Sequence, residues 1–149
     1  MPGRRKEAYQ IALLIALALS CLPGQIQAAL QDKNVEFGPQ VSSYLELLKQ
    51  EEEELEFQIK HKEISRRDYL RARNRINVYR RAIKDIVIRR GEDLVPELHA
   101  VVLSEIKTLF PDGIKDLNRL KQDHKVNENW RFVGVYISGE KFYLFERVR

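Results

Sequence analysis

Apolar positions recur every three or four residues through two long stretches of this chain. In the first, Leu45, Leu48, Leu55 and Ile59 share one helical face, with Glu52 interrupting the stripe. Ser43 followed by Glu46 has the spacing of a capping box, in which the hydroxyl and the carboxylate each answer an orphan backbone amide. In the second, Tyr69, Ala72, Ile76, Tyr79, Ile83 and Ile86 alternate by three and four. Ser65 and Asp68 stand as its amino-terminal cap, with Ile64 and Tyr69 placed as a hydrophobic staple. Gly91 is its stop, preceded by Arg89 and Arg90, whose cations suit the helix dipole. Only a few residues separate the two stripes, and short connections make antiparallel neighbours. Residues 42–90 are therefore predicted to form a helical hairpin with a coiled-coil-like seam.

The pattern then changes. Pro96 suits the first turn of a third helix, with Leu98, Val101, Val102, Ile106 and Leu109 as its buried face. Pro111, Asp112 and Gly113 end it in a turn, and Ile114, Leu117 and Leu120 suggest a short fourth helix. Trp130 to Ile137 and Lys141 to Val148 are rich in aromatic and branched residues and are separated by Ser138, Gly139 and Glu140, a β-hairpin signal. Val35 to Phe37 suggests a short edge strand before the break at Gly38 and Pro39. The expected fold class is α+β and mostly helical: a long antiparallel helical hairpin, one or two shorter helices and a carboxy-terminal β-hairpin. Two strands alone are marginal in water, so the hairpin must lie on the third helix, recruit another strand or find a partner chain.

A twelve-residue apolar run, Ile11 to Leu22, follows Arg4, Arg5 and Lys6 and precedes Pro23 and Gly24. With Ala28 as the small residue at a cleavage site, residues 1–28 read as a signal peptide. Residues 29–149 then form a single mature domain, with the hairpin at 42–90 and an α+β region at 92–149. That places the protein in the periplasm or outside the cell. The one cysteine, Cys21, lies in the leader, so membrane attachment follows only if Cys21 is lipidated. Ala18, Leu19 and Ser20 fit the lipoprotein pattern poorly.

Charge adds contrast. The whole chain carries +4, but residues 41–64 hold seven acids and three bases, while residues 65–91 hold two acids and ten bases. The glutamates at 51 to 56 can pair internally with Arg73, Arg75 and Arg80. The bases outnumber the acids, however, so Arg66, Arg67, Arg71, Arg73, Arg75, Arg80 and Arg81 are candidates for an anion-binding face, since guanidinium groups fork onto phosphate and carboxylate. An anionic envelope component is the natural ligand for an exported protein, and the leader disfavours nucleic acid. A second candidate surface is aromatic. Strand alternation leaves one face of the hairpin unburied by a single helix, making Tyr136, Phe142, Tyr143 and Phe145 candidate interface residues.

The stretch Glu63, Ile64, Ser65, Arg66, Arg67, Asp68, Tyr69, Leu70 resembles the turn of the short helical hairpins called SHOCT domains, which order an apolar residue, a Ser or Thr, an acid and an aromatic in the same way. The resemblance covers only the turn and its flanks. It implies association without catalytic residues.

Catalytic chemistry is harder to place. His61, His99 and His124 form no zinc spacing, no serine sits in a nucleophile elbow, and no glycine-rich loop cradles phosphate. No catalytic residue, metal ligand or cofactor emerges, and the reading leans away from an enzyme. The sequence alone points to a non-catalytic envelope protein acting by protein–protein contact or self-association, with an anion-binding module as the alternative.

Overall fold

The computed structural model describes residues 36–148. The predicted leader and Cys21 lie outside them, and Glu36 and Phe37 are not in a strand. Helix α1 spans Pro39–Lys60 and α2 spans Arg66–Arg90. Strand β1, Leu98–Val101, is followed by a 3-10 turn at Leu103–Glu105, the single-turn helix α3 at Ile106–Leu109, and another 3-10 turn at Leu117–Arg119. Strands β2, Trp130–Ser138, and β3, Glu140–Arg147, complete the chain. The α+β, mostly helical class is the one expected. No helix among the described residues is long and apolar enough to cross a membrane.

The start of α1 differs from its prediction. The break at Gly38 and Pro39 is itself the helix start, with Gly38 at the N-cap and proline in the first turn. The Ser43 capping box is unused. Asp93, from the segment after α2, supplies the cap: its Oδ2 and Oδ1 accept from the Gln40 and Val41 amides, each at 3.0 Å. Gly38 leaves room for that carboxylate, which a β-carbon would meet. At α2 the expected cap forms, with Ser65 Oγ accepting from the Asp68 amide at 3.1 Å and donating to Asp68 Oδ2 at 2.6 Å. Gly91 ends the helix at φ 71°, in the left-handed region that glycine tolerates.

α2 packs against α1 on one side and all three strands on the other. It therefore needs two apolar faces, and Val78 and Ala82, outside the single predicted stripe, supply the second. Among α1 residues only Val41 and Leu48 are fully buried. The seam is too short of apolar knobs for the coiled coil expected from the sequence.

The predicted third helix is instead β1. Leu98, Ala100 and Val102 alternate with Val101 across the two faces of a sheet, and Val101 and Val102 are β-branched residues that suit a pleat. β1 pairs antiparallel with β3 from Leu98↔Glu146 to Val101↔Tyr143, giving the order β1-β3-β2. The hairpin has thus recruited its third strand from the same chain. The predicted fourth helix shrinks to the 3-10 turn at Leu117–Arg119.

Both faces of this sheet are covered. Val78, Ala82 and Ile86 of α2 meet Ala100, Val133, Phe142 and Leu144 on one face. On the other, Trp130, Phe132, Tyr143 and Phe145 lie under Ile106 and Phe110, with Leu117, Leu120 and Val126 around them. The Phe110 ring meets Phe145 edge-on at 4.8 Å. This corrects the aromatic interface expected from the sequence: Phe142, Tyr143 and Phe145 are buried, because residues 102–126 fold back over the face that one helix could not cover. A bulge between Phe132 and Gly134 shifts the alternation of β2, and Val135 and Ile137 are the apolar residues left exposed.

Candidate functional site

The stripes on α1 and α2 part at their middle to leave a groove of about 480 Å³. Glu51, Glu54 and Leu55 of α1 lie on one helical face, as do Ala72, Arg75, Ile76 and Tyr79 of α2. The opening has a sequence cause: α1 offers carboxylates where a seam would carry leucines, and Ala72 is small. A second hollow of about 340 Å³ shares Arg75 and Tyr79 and extends to His99, Val101, Glu105 and Thr108. The two hollows adjoin at these shared residues and follow α2, one toward the acidic side of α1 and the other toward β1 and α3, a cleft in two parts.

Its polar groups are held in place. Arg75 Nη2 donates to Glu105 Oε2 at 2.6 Å, and the same oxygen accepts from the Val102 amide at 3.2 Å. Arg75 Nε is buried without an acceptor, a cost the rest of the side chain offsets through Glu105 and the Phe142 ring 5.9 Å away. The Tyr79 hydroxyl accepts from the Ala100 amide at 3.1 Å, leaving its own proton free to be donated. His99 Nε2 lies 3.2 Å from Glu97 Oε1, and its ring stands edge-on to Trp130 at 4.9 Å. Near the groove, the Tyr44 hydroxyl is pushed up to about 12, first by burial and then by Tyr79 and the Glu51 charge.

Most of the candidate arginines are engaged within the fold. Arg73 and Arg80 both reach Glu52, at 3.4 and 2.8 Å, and hold its carboxyl below the usual range, with the Arg80 hydrogen bond foremost. Arg71 grips Glu140 at 2.9 Å. Arg81 donates to the Ile137 carbonyl at 2.6 Å and lies over the Tyr136 ring, 5.8 Å from its centre. Arg75 is held by Glu105 as described. Arg66 and Arg67 stay exposed at the start of α2, where Arg67 lies 3.9 Å from Asp68. The seven therefore do not converge on one face. Tyr136, the last of the interface candidates, is half-buried, donates to Asp85 at 3.2 Å, and has its hydroxyl pushed up to about 12 by burial and by Asp85.

The family described as Zincin-like metallopeptidase matches residues 45–136, more than half of the chain. The chain belongs to this family. No curated protein and no solved structure matches it. The match overturns the non-catalytic association protein and the anion-binding module expected from the sequence. The match carries no support for the envelope and periplasm descriptions attached to them.

The family description implies a metal, which the side chains would have to hold. Zinc in a catalytic site takes three protein ligands, and in zinc peptidases two histidines commonly stand one turn apart on a helix. Neither α1 nor α2 contains a histidine. His61 caps α1 with Nδ1 2.8 Å from the Phe57 carbonyl, His99 lies on β1 against Glu97, and His124 lies in the loop beside β2. Among the described residues no three His, Cys, Asp or Glu side chains are grouped to hold an ion. The described residues do not fit the metal.

Sequence reasoning missed this cleft. In the sequence Tyr79 reads as part of the buried seam and His99 as part of a helix. Only the conversion of that helix into β1 brings His99 and Glu105 to the same hollow as Arg75. One signal was available: Glu51 and Glu54 fall between Leu48 and Leu55, where a continuous seam would carry apolar side chains.

Proposed function

We propose that this chain is a peptidase that receives a polypeptide along the cleft between α1, α2 and β1 and hydrolyses it there. One observation carries the reading. Every residue that lines the two hollows, from Gln50 to Leu109, falls within the segment matched by the peptidase family. A cleft that is mostly apolar with a few fixed polar groups is the usual form of a substrate site.

Since no metal-ligand set is assembled among the described residues, the proton chemistry is assigned to the cleft's own residues. In the tautomer that carries its proton on Nε2 and donates it to Glu97, 3.2 Å away, His99 offers Nδ1 as a base. It takes a proton from water as the water oxygen adds to the peptide carbonyl carbon. The Tyr79 hydroxyl donates a hydrogen bond to the carbonyl oxygen as negative charge develops on it. The proton held by His99 then passes to the departing amine as the carbon–nitrogen bond breaks.

The test is incubation of the full chain with a mixture of unstructured peptides, read by mass spectrometry. Cleavage is expected, with His99→Ala lowering kcat by about 100-fold or more, the scale of a lost general base. Tyr79→Phe keeps the ring and removes the donor, and is expected to lower kcat with little change in KM. Peptides left intact by the wild-type chain, or cut equally by His99→Ala, would refute the proposal.

A further inference from the structure

We infer that the groove between α1 and α2 selects a lysine or arginine side chain of the bound polypeptide, with its head at Glu51 and Glu54 and its stem along Leu55, Ala72 and Ile76. The inference rests on the peptidase reading and names the substrate class.

Several α1 carboxylates already have cations. Glu46 and Glu53 flank Lys49 at 3.6 and 4.0 Å, and Glu52 is shared by Arg73 and Arg80. Glu51 and Glu54, the two that line the groove, have no ion-pair partner among the described residues. Glu54 has only a hydrogen bond from Gln58 Nε2 at 3.0 Å. Among the described residues Arg75 is the one cation that lines the same groove, and Glu105 already pairs with it at 2.6 Å. The groove thus presents two uncompensated negative charges above an apolar floor.

A long basic side chain matches both parts. Its methylenes bury against apolar surface while the charged head stays at the rim. An acidic side chain would be repelled, and a purely apolar one would fill the floor and leave the carboxylates unused. The groove volume of about 480 Å³ accommodates such a side chain together with its backbone.

The test uses binding rather than turnover, so it can fail while cleavage succeeds, and the reverse. Three fluorescent peptides, identical except for lysine, norleucine or glutamate at one central position, are titrated with the full chain and followed by anisotropy at low salt. Two part-screened ion pairs predict about five-fold tighter binding of the lysine peptide than of the norleucine peptide. The glutamate peptide is expected to bind weakest. The double variant Glu51→Gln, Glu54→Gln alters exposed side chains and is expected to melt as the wild type does. It should bind the lysine and norleucine peptides equally. Equal affinities for the wild-type chain, no binding of any peptide, or a lysine preference that survives the double substitution would overturn the inference.

Discussion

Replacing Glu146 by glutamine tests the electrostatic clamp that ties α2 to the sheet. Glu146 is 8 % exposed, and its two oxygens accept from Arg90 at 2.9 and 2.6 Å, with Arg131 adding a contact at 3.4 Å. The Arg90 hydrogen bonds, opposed by burial and joined by the charges of Arg90 and Arg131, hold its carboxyl below the usual range. Glutamine keeps the shape and one acceptor but loses the charge. It replaces charge-assisted bonds of about 1.5–3 kcal/mol by a neutral one of about 1 kcal/mol, and it strands part of a guanidinium. A net loss of about 2 kcal/mol follows at pH 7, which a domain stable by roughly 5–15 kcal/mol survives. The assay is urea unfolding read by Trp130, the only tryptophan, which is buried on the strand beside the clamp. pH supplies the control. Because the folded-state carboxyl is depressed, its stabilising effect is complete above the unfolded-state value and disappears as pH falls through the lower folded value. The gap between wild type and Glu146→Gln should therefore be full at pH 7 and close in acid. A gap below about 0.5 kcal/mol at neutral pH, the scale of an ordinary surface change, would refute the reasoning, as would a gap that did not vary with pH.

Asp93→Ala removes the side-chain cap at the amino terminus of α1 and should cost about 1 kcal/mol in the same unfolding assay, and Gly38→Ala should cost at least as much by displacing that carboxylate. Gly139→Ala forces a β-carbon onto φ +67° and into the Asn74 side chain, so a loss of about 1–2 kcal/mol and a lower melting temperature are expected. Ile137→Thr, at an exposed strand position, should lie within about 0.5 kcal/mol of wild type.

The long elements were legible because their signals are local. The Ser65 cap, the Gly91 stop and the Ser138–Glu140 turn each depend on neighbours within a few residues. The failures were of the opposite kind. Residues 98–102 carry a spacing that serves a helix, but their β-branched pair and the unpaired edge of β3 favour a strand, and that preference appears only when Leu144 is placed beside Ala100. The cap on α1 comes from Asp93, more than fifty residues away. The arginines of α2 read as a surplus because their partners Glu105, Asp123, Glu140 and Glu146 lie far along the chain. The cleft itself is formed by two helices and a strand whose juxtaposition no single segment encodes.

The most direct test of the account is peptide cleavage by the full chain before and after exhaustive dialysis against a strong chelator, with zinc counted by elemental analysis in both samples. The account predicts cleavage that persists through dialysis, with far less than one zinc per chain at either stage. Stoichiometric zinc, with activity lost on its removal and restored on its return, would contradict the assignment of the chemistry to His99 and Tyr79.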